Sequence, residues 1–358
     1  MRIGVNGLAI SREMTGIGRT TLQSLRAMLA RDSENEYMLF LPTDAPEELG
    51  VDAPNLTLVP TDVSLSQRFK SIWFGEFELP RRLRGARIDL YYAPSFLLPA
   101  YAGAEAEVIC VHDLAWRFYP RSKSMRFRAY MNMRLPVALR RAGRIVCVSR
   151  ATADEVQAEY GDDFAGRLRV VHNGVDLDKF CPAEMPSEPR SPYIAVVGNQ
   201  DPRKNIATLL EAFPSFRARL RACRLVMVGP GQPSTPPPAA VDCRGYLDDD
   251  ALVSLYRNAL LVVQPSLYEG FGLPILEAMA CGAPVACAAI PVFREVAADC
   301  ARYFNPRNAE AIADSMAELA GDTVARETLA AKGVERAQQF SWDRSAEKLL
   351  QTFSEVSP

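Results

Sequence analysis

Short apolar runs rich in β-branched residues alternate with longer helix-like stretches along almost the whole chain. In the first half these runs are RIGVN, YMLFLP, LTLVP, DLYYAP, EVICVHD, RIVCVS and RLRVVHNG. From Tyr193 the alternation starts again with YIAVVGN, RLVMVGPG, VDCRGYL, ALLVVQPS and APVACAAI. Such alternation is what a parallel sheet with crossover helices requires. The sequence therefore predicts an α/β protein with two parallel sheets, each with crossover helices.

A proline-rich segment separates the two alternating halves. Residues 181–192, CPAEMPSEPRSP, contain four prolines with polar residues between them, and such a segment sustains neither a helix nor a central strand. We therefore predict a first domain at 1–180, a linker at 181–192 and a second domain at 193–340. The last residues, 341–358, have the pattern of an amphipathic helix opened by Ser341. This pattern fits a return to the first domain and a surface helix on the second about equally.

Composition and charge exclude several classes of protein. The chain has 358 residues, 48% of them hydrophobic and 23% charged, which is typical of a globular protein with two domains. A formal net charge of -2 argues against a dedicated nucleic-acid binder, because such proteins carry a basic excess that neutralises phosphates. The sequence has no apolar run of about 18 residues and no signal-peptide pattern. We therefore expect a cytoplasmic protein, either free or peripheral at the inner face of the cytoplasmic membrane.

The eight cysteines are scattered along the chain. None forms the CxxC pair that metal and redox sites use. We expect free, buried thiols in a reducing compartment and no bound metal.

The most informative segment is PSLYEGFGLPILEAMACG, residues 265–282. It predicts a glycine-bearing loop that enters a helix near Leu273, with Pro274 in the first turn, where its missing N–H does no harm. Gly282 is expected to end this helix. Unpaired N–H groups and the positive end of a helix dipole suit an anionic diphosphate, so we expect phosphate binding at residues 270–273.

Two glutamates flank this phosphate position. Glu269 precedes the glycine loop and Glu277 lies about one turn inside the helix, so the two carboxylates do not crowd each other. Carboxylates accept hydrogen bonds from pairs of hydroxyls, such as those of a sugar or a ribose. A capping loop with one solvated glutamate is the alternative for the loop alone, because glycine loops are common.

The full pattern is a glutamate followed eight residues later by a second one, with Gly-Phe-Gly-Leu-Pro between them. It resembles the donor motif of family 4 retaining glycosyltransferases of the GT-B fold. The resemblance extends over almost the whole chain, through TGIGR near the start, CVHDLAWRFYP and VVHNGVD in the middle, and VVGNQDPRKN in the second domain. Within the family these segments are similar to bacterial mannosyltransferases that build O-antigens and other surface polysaccharides. The resemblance implies two doubly wound, Rossmann-like domains that face each other across a cleft, with the donor mainly on the second and the acceptor mainly on the first.

The resemblance also implies roles for individual residues of the donor motif. Glu277 matches the glutamate that holds the nucleotide ribose, and Glu269 matches the one that contacts the transferred sugar near the reacting centre. The backbone segment along the sugar and the diphosphate is matched by Gly270, Phe271, Gly272 and Leu273. Tyr246 is expected to lie near the nucleotide base.

A basic pair, Arg203 and Lys204 in DPRKN, follows the first strand of the second domain. It resembles the family's pair that neutralises the diphosphate leaving group. Such a pair is physically sensible, because departure of a nucleoside diphosphate leaves negative charge in the transition state. Many relatives have arginine where this chain has Asn199, so we expect Arg203 to take over that role. A solvated helix start is the alternative for the pair.

Three residues of the first domain are also candidates for the donor site. Gly16 and Gly18 in TGIGR resemble the loop that approaches the donor phosphates. A GxG after a first strand also suits a dinucleotide-binding fold, but the full GxGxxG of that fold is absent. His112 follows the apolar strand EVICV, at a strand end where ligands gather in open α/β sheets. The matching histidine of the family contacts the donor sugar, and a packed or solvated histidine is the alternative.

Residues 117–144 contain nine Arg or Lys and no acidic residue, and they are interleaved with aromatic residues and methionines. This mixture suits an anionic membrane surface or a lipid-diphosphate acceptor. The candidates for such contacts are Arg126, Arg128, Arg140 and Arg141. A cationic, solvated helix that covers the first domain fits the stretch about equally well.

The resemblance implies a retaining hexosyltransferase that moves mannose from GDP-mannose to a growing, lipid-linked glycan acceptor. We expect it to need neither a metal nor another cofactor, because the basic pair and the helix dipole can supply the electrostatic stabilisation. Two alternatives stay open. One is a transferase of the same fold that uses UDP-glucose or another UDP-sugar, and the other is a non-catalytic protein that binds nucleotide or carbohydrate.

Overall fold

The computed structural model describes residues 1–12, 14–64, 68–99, 101–183, 192–231 and 239–356. The strands are β1 (Arg2–Asn6), β2 (Glu36–Leu41), β3 (Leu56–Pro60), β4 (Leu90–Ala93), β5 (Ala106–Val111), β6 (Arg144–Cys147), β7 (Leu168–Val170), β8 (Tyr193–Val197), β9 (Arg224–Val228), β10 (Val241–Arg244), β11 (Leu261–Gln264), β12 (Val285–Ala288) and β13 (Arg302–Phe304). The α-helices are α1 (Gly16–Arg31), α2 (Arg68–Trp73), α3 (Leu79–Gly85), α4 (Ala115–Phe118), α5 (Met125–Arg141), α6 (Arg150–Tyr160), α7 (Ile206–Arg219), α8 (Asp249–Asn258), α9 (Leu273–Ala280), α10 (Pro291–Ala297), α11 (Ala309–Gly321), α12 (Thr323–Ala337) and α13 (Trp342–Ser354). A π-helical turn, Phe74–Glu78, joins α2 to α3.

The first of two compact units comprises Met1–Leu114, Met125–Gly174 and Trp342–Pro358. Its parallel sheet has the strand order β3-β2-β1-β4-β5-β6-β7. The order reverses between β1 and β4, which is the doubly wound pattern, and ligands of such sheets bind outside the carboxyl ends of the strands at the reversal. Every residue of β5 is buried, as expected for a strand covered by helices on both faces.

The second unit comprises Ala115–Ser124 and Val175–Ser341. Its parallel sheet has the strand order β10-β9-β8-β11-β12-β13, so its reversal lies between β8 and β11. The loops that follow β8 and β11 therefore leave the sheet side by side. The first of these loops carries the basic pair and the second carries the glycine motif.

Local sequence signals explain where several helices begin. Ser149 caps α6 by accepting a hydrogen bond from the Thr152 N–H, and Asp248 caps α8 by accepting one from the Ala251 N–H. Short side chains with an oxygen are preferred at this position because they satisfy N–H groups that lack an acceptor within the helix.

The predicted α/β class with two doubly wound sheets is confirmed. β13 was not predicted, because a strand of three residues is too short to produce a recognisable pattern. The helix α13, which the sequence left open between the two domains, packs on α1 in the first unit. The Phe353 ring lies 5.1 Å from that of Tyr92.

The unit boundaries differ from the predicted domain limits. The chain joins the second unit at Val175, before the predicted linker 181–192, because the Val175 N–H donates to the Phe340 carbonyl oxygen at 2.8 Å. Ala115–Ser124 also lies with the second unit, although the prediction placed it in the first domain. Residues 184–191 of the predicted linker lie outside the described residues.

Candidate active site

The glycine loop after β11 enters α9 as the sequence predicted. The helix begins at Leu273, has Pro274 in its first turn and ends before Gly282. Gly272 caps it with a positive φ of 107°, and a Cβ atom built there would lie 2.8 Å from the Phe293 ring. Both the dihedral angle and the lack of space require glycine. The start of α9, with first-turn N–H groups that suit an anion, is thus fixed in position.

The loop after β8 is attached to the glycine loop by its backbone and by one buried asparagine. The Asn205 amide nitrogen donates to the carbonyl oxygens of Pro265 at 3.1 Å and Pro306 at 2.7 Å. The Leu267 N–H donates to the Arg203 carbonyl oxygen at 2.8 Å. Asn205 has a left-handed backbone with φ of 59°, which asparagine tolerates better than most residues. Sequence reasoning missed Asn205, and the available signal was an asparagine placed directly before a helix.

These attachments bring together two of the predicted site residues. Lys204 Nζ lies 2.6 Å from Glu269 Oε1, and both side chains are largely buried. The Ser266 hydroxyl donates to the same carboxylate oxygen at 2.7 Å. The Gln264 amide nitrogen in turn donates to the Ser266 hydroxyl at 3.2 Å. Ser266 and Gln264 were not predicted, because nothing in a sequence indicates which loop oxygen a hydroxyl will reach.

The carboxylate of Glu269 is stabilised in its charged form. Burial alone would raise its pKa, but the charges of Lys204 and Arg203 act in the opposite direction. The hydrogen bonds from Lys204 and Ser266 add to this effect, so the pKa of Glu269 lies below the ordinary value of a glutamate. Glu269 is therefore an anion at neutral pH, and in the described structure it is paired.

Arg203 has an acidic neighbour of its own. Its Nε lies 3.3 Å from Asp201 Oδ2, and both side chains are largely buried. Asn199 accepts a hydrogen bond from the Asp201 N–H at 3.2 Å. Asn199 thus shapes the turn that orients Asp201, and the cationic groups of this loop are Arg203 and Lys204.

Glu277 lies inside α9 and is buried. Its Oε2 accepts a hydrogen bond from the Tyr256 hydroxyl of α8 at 3.2 Å. Tyr256 was not predicted as a site residue, because its position in an amphipathic helix indicates only core packing. Tyr246, predicted to lie near the nucleotide base, follows β10 and is 74% exposed.

The two candidate glycines of the first unit lie at the start of α1 in different surroundings. Thr15 caps this helix and accepts a hydrogen bond from the Gly18 N–H at 3.2 Å. A Cβ atom at Gly18 would lie 2.2 Å from the Ala9 carbonyl oxygen, whereas one at Gly16 would meet nothing within 4 Å. Gly18 is therefore required for packing, and Gly16 is exposed at a helix N-terminus.

His112 follows β5 and is held from inside the first unit. Its Nε2 lies 2.7 Å from the Pro94 carbonyl oxygen. Burial opposes the charged form of the ring, but the Cys110 sulfur and the Pro94 carbonyl outweigh it, with a smaller contribution from Asp113. Together they raise the pKa of His112 to about 9. Because a carbonyl oxygen only accepts hydrogen bonds, Nε2 carries a proton and donates to Pro94, so this nitrogen is not available as a base.

The four candidate arginines of α5 do not share one environment. Arg126 and Arg140 are exposed, and Arg128 is half-buried. Arg141 forms two hydrogen bonds, of 2.6 and 3.0 Å, with the buried Glu107, and a third of 2.7 Å with the Pro99 carbonyl oxygen. This bidentate pair occupies its guanidinium, and a contact of Arg141 with lipid or acceptor stays a prediction. Arg141 stabilises the first unit.

A second acidic residue fixes α5 against the π-helical turn. Glu76 accepts hydrogen bonds from the Tyr130 hydroxyl at 2.9 Å and from Arg134 at 2.6 Å. Large apolar side chains are nevertheless exposed on both elements, including Phe77 of the turn at 44% and Met133 of α5 at 63%, and Trp73 at the end of α2 is 55% exposed. The surface around α5 is therefore basic and apolar together.

Three further findings concern metal binding, membrane spans and the cysteines of the described residues. Among them, no three His, Cys, Asp or Glu side chains are grouped closely enough to hold a metal ion. None of the helices within the described ranges is both long and apolar enough to cross a bilayer. All eight cysteines are free thiols, and six of them are buried.

Comparison with known proteins gives two matching family models. The model described as glycosyl transferases group 1 matches residues 182–336. The model described as glycosyltransferase family 4 matches residues 14–179. The first range contains the Lys204–Glu269 pair and Glu277, and the second contains His112.

Individual proteins are similar at lower identity. The O-antigen chain mannosyltransferase B of Escherichia coli is 28% identical over 306 residues, which cover 76% of this chain and 77% of that protein. Sucrose-phosphate synthase from Thermosynechococcus elongatus has a TM-score of 0.79 at 20% identity, with 99% of each chain covered. HepE of Anabaena, solved in complex with UDP and glucose, has a TM-score of 0.74 at 18% identity, with 99% of each chain covered. At these identities the solved structures indicate the fold alone.

Proposed function

This chain belongs to the glycosyltransferases of the GT-B type, and we propose that it transfers mannose from GDP-mannose to a lipid-linked glycan acceptor in bacterial polysaccharide synthesis. The observation that carries the proposal is the Lys204–Glu269 pair, buried in the loops at the strand reversal of the second unit. The choice of mannose is supported by the similarity to an O-antigen chain mannosyltransferase.

The donor diphosphate is proposed to bind at the start of α9. The first-turn N–H groups at Leu273 and the positive end of the helix dipole attract its negative charge. Lys204 and Arg203, attached to the same loop through Leu267, contribute two cationic side chains. Because charge on the diphosphate is greatest as the sugar leaves, these groups stabilise the transition state more than the bound donor.

The two glutamates are proposed to bind the two ends of the donor. The hydrogen bonds described for Glu269 end on Oε1, so we assign Oε2 to a hydroxyl of the transferred sugar. Glu277 is assigned to the ribose hydroxyls, and Tyr256 holds its carboxylate in place. His112 of the first unit is proposed to contact the donor sugar. Gly16 and Gly18 are proposed to contact the phosphates.

The transfer step is proposed to retain the anomeric configuration. The bond between the sugar C1 and the phosphate oxygen breaks, and the acceptor oxygen attacks C1 on the face that the phosphate leaves. The acceptor proton passes to the departing phosphate, so no protein residue needs to act as a covalent nucleophile. Determining the anomeric configuration of the product by NMR tests this step, and an inverted product would overturn it.

We also propose that transfer needs no metal ion. The basic pair and the helix dipole supply the charge stabilisation for which other transferases use a metal. Activity should therefore survive EDTA. Complete loss in EDTA, restored by manganese or magnesium, would contradict this proposal.

The donor is tested first by a thermal-shift screen with GDP-mannose, UDP-glucose and UDP-GlcNAc. A ligand that binds only the folded chain raises the melting temperature by mass action, so GDP-mannose should give the largest shift. Selective stabilisation by a UDP-sugar would replace the proposed donor with the alternative of the same fold. Release of GDP with transfer of mannose separates an enzyme from a protein that only binds, which would release no nucleoside diphosphate.

The acceptor side of the proposal concerns the surface around α5. Exposed Arg126 and Arg140 lie on the same helix as exposed Met133, and Trp73 is exposed at the end of α2, directly before the π-helical turn. Arginine attracts anionic headgroups, and aromatic side chains favour the bilayer interface. We therefore propose peripheral association with the inner face of the cytoplasmic membrane, where a lipid-linked acceptor would be reached.

A further inference from the structure

A short segment inside the range predicted for the first domain lies with the second unit. Ala115–Ser124 contains α4 and a 3-10 turn at Pro120–Ser122. Ala115 and Trp116 are almost fully buried, so the segment is anchored at its start. The segment therefore has a fixed position in the second unit.

The segment packs on the loop that carries Glu269. The Tyr119 hydroxyl donates to the Leu267 carbonyl oxygen at 3.0 Å. The Tyr119 and Phe118 rings lie 5.4 and 6.0 Å from that of Tyr268, and Tyr268 is buried. These contacts fall on the two residues directly before Glu269.

Leu267 is fixed from two sides by its backbone. Its carbonyl oxygen accepts from Tyr119, and its N–H donates to the Arg203 carbonyl oxygen. A residue of an irregular loop has no ladder or helix to satisfy these groups, so the loop depends on such partners for a single conformation. Leu267 also lies between Ser266 and Glu269, which are hydrogen-bonded to each other.

The segment also contacts the loop after β8, and it has a hydrogen bond within itself. The Pro120–Ser122 turn lies against the Pro202–Lys204 turn. The Ser122 hydroxyl donates to the Tyr119 carbonyl oxygen at 2.8 Å, which limits the freedom of Tyr119. One segment therefore braces both loops whose side chains form the Lys204–Glu269 pair.

We propose that Tyr119 is a positioning residue, whose hydroxyl holds the loop at Leu267 and thereby keeps the Glu269 carboxylate in the geometry that sugar transfer needs. This inference rests on the proposed function, because it assigns Tyr119 an effect on transfer. Tyr119 itself touches no reacting atom. Its effect is expected in turnover, because small displacements of a group that acts in the transition state reduce the rate steeply.

The test compares Tyr119→Phe with a matched control, Tyr193→Phe. Both substitutions remove a hydroxyl that donates to a leucine carbonyl oxygen in the second unit, at 3.0 Å to Leu267 and 2.8 Å to Leu255. Each keeps its ring. Tyr193 contacts α8 and has no part in the proposed site, so it reports the cost of losing such a hydrogen bond elsewhere.

The first measurement is amide hydrogen exchange of the full chain without donor. Tyr119→Phe should exchange faster than wild type in peptides that cover residues 265–270, because the loop opens more often. Tyr193→Phe should leave these peptides unchanged. Equal protection of this loop in wild type and Tyr119→Phe would show that the Tyr119 hydroxyl does not stabilise it, whatever the protein's activity.

The second measurement is steady-state kinetics at saturating acceptor. Tyr119→Phe should lower kcat by about tenfold with little change in the donor KM, and Tyr193→Phe should match wild type. Unchanged kcat in Tyr119→Phe would overturn the positioning role, as would an equal loss in both variants. A further outcome is that wild type transfers no sugar from any donor while Tyr119→Phe still exchanges faster at residues 265–270. In that case the proposed function and the positioning role are both wrong, and only the stabilisation of the loop by Tyr119 is confirmed.

Discussion

Lys204 and Glu269 are 65 residues apart in the sequence, and their charged atoms lie 2.6 Å apart. A largely buried cation and anion stabilise each other, and removing either one leaves the other as an unpaired buried charge, which is strongly destabilising. A lysine has three N–H donors, so Lys204 can keep Glu269 as a partner while a diphosphate oxygen accepts another of its hydrogen bonds. The pair therefore prepares the charge of the site before the donor arrives.

Removing one member of this pair should affect stability as well as turnover. Lys204→Ala leaves a buried carboxylate without its main cation, and such losses cost about 3–5 kcal/mol. The double variant Lys204→Met, Glu269→Gln removes both charges and should be more stable than Lys204→Ala, although both should lose turnover. Urea denaturation and kcat measure the two effects. A single variant as stable as the double would show that the pair contributes no mutual stabilisation.

The same pair predicts a dependence of stability on acid. The folded-state pKa of Glu269 lies below the ordinary glutamate value of 4.5, so its contribution to the free energy of unfolding is fully present above that value. It is lost as the pH falls through the lower, folded-state pKa. Glu269→Gln should therefore lose less stability than wild type on acidification below about pH 4.5. Parallel acid dependence in the two proteins would contradict this.

Glu277→Ala should weaken donor binding. A charged hydrogen-bond acceptor for the ribose is lost, which typically costs about 1.5–3 kcal/mol. Glu277→Gln keeps an acceptor for the Tyr256 hydroxyl and serves as the control for folding. Calorimetry with GDP-mannose measures the effect. Donor affinity equal to that of wild type in the alanine variant would remove Glu277 from the site.

The imidazole of His112 should titrate far above an ordinary histidine. Its pKa is raised from 6.5 to about 9, so its stabilising contribution is fully present below pH 6.5 and is lost as the pH rises through 9. NMR titration measures this pKa, and His172→Asn assigns the signals, because the chain has two histidines. Cys110→Ala should lower the pKa. A pKa near 6.5 for His112 in wild type would refute the described environment.

Gly272→Ala should destabilise the start of α9. The residue has φ of 107° and its new Cβ atom would lie 2.8 Å from Phe293, and strain of this kind costs about 1–3 kcal/mol. Gly321→Ala is the matched control in the same unit, since a Cβ atom there meets nothing within 4 Å. Thermal denaturation compares the two variants. Equal melting temperatures would show that the loop can rearrange without strain.

Binding to anionic vesicles should depend on exposed arginines of α5. Arg126→Gln with Arg140→Gln removes two charges worth about 1 kcal/mol each near a lipid surface. Arg221→Gln with Arg224→Gln, at exposed positions of the second unit, removes the same charge elsewhere. Co-sedimentation should fall only in the α5 variant, and high salt should weaken binding of wild type. Equal pelleting of all three proteins would contradict membrane binding through α5 and would favour the alternative, a solvated cationic helix.

The strands and the glycine loop after β11 were predictable because their signals are local. Alternating apolar runs marked the strands, and the Gly272 and Pro274 pair marked the start of α9 within three residues. The domain assignment of Ala115–Ser124 was not predictable, because the Tyr119 contact spans 148 residues. A pattern read along the chain contains no information on such a partner.

The partners of charged and polar residues also could not be predicted from the sequence. Arg140 and Arg141 are neighbours in one basic stretch, yet only Arg141 meets the buried Glu107, 34 residues away. A stretch without acidic residues indicates solvated cations only if no acidic residue from another element reaches it. Asn205 illustrates the same limit, since its two carbonyl partners come from loops 60 and 101 residues further along the chain.

The packing of α13 on α1 determines the order in which the protein can fold as it leaves the ribosome. Synthesis delivers α1 first, then most of the second unit, and only then α13. The first unit therefore begins before the second and is completed after it, and its final step closes the loop between α1 and α13, which costs conformational entropy. Until Trp342–Ser354 is released, the apolar side of α1 that it covers is open to chaperones and to premature association.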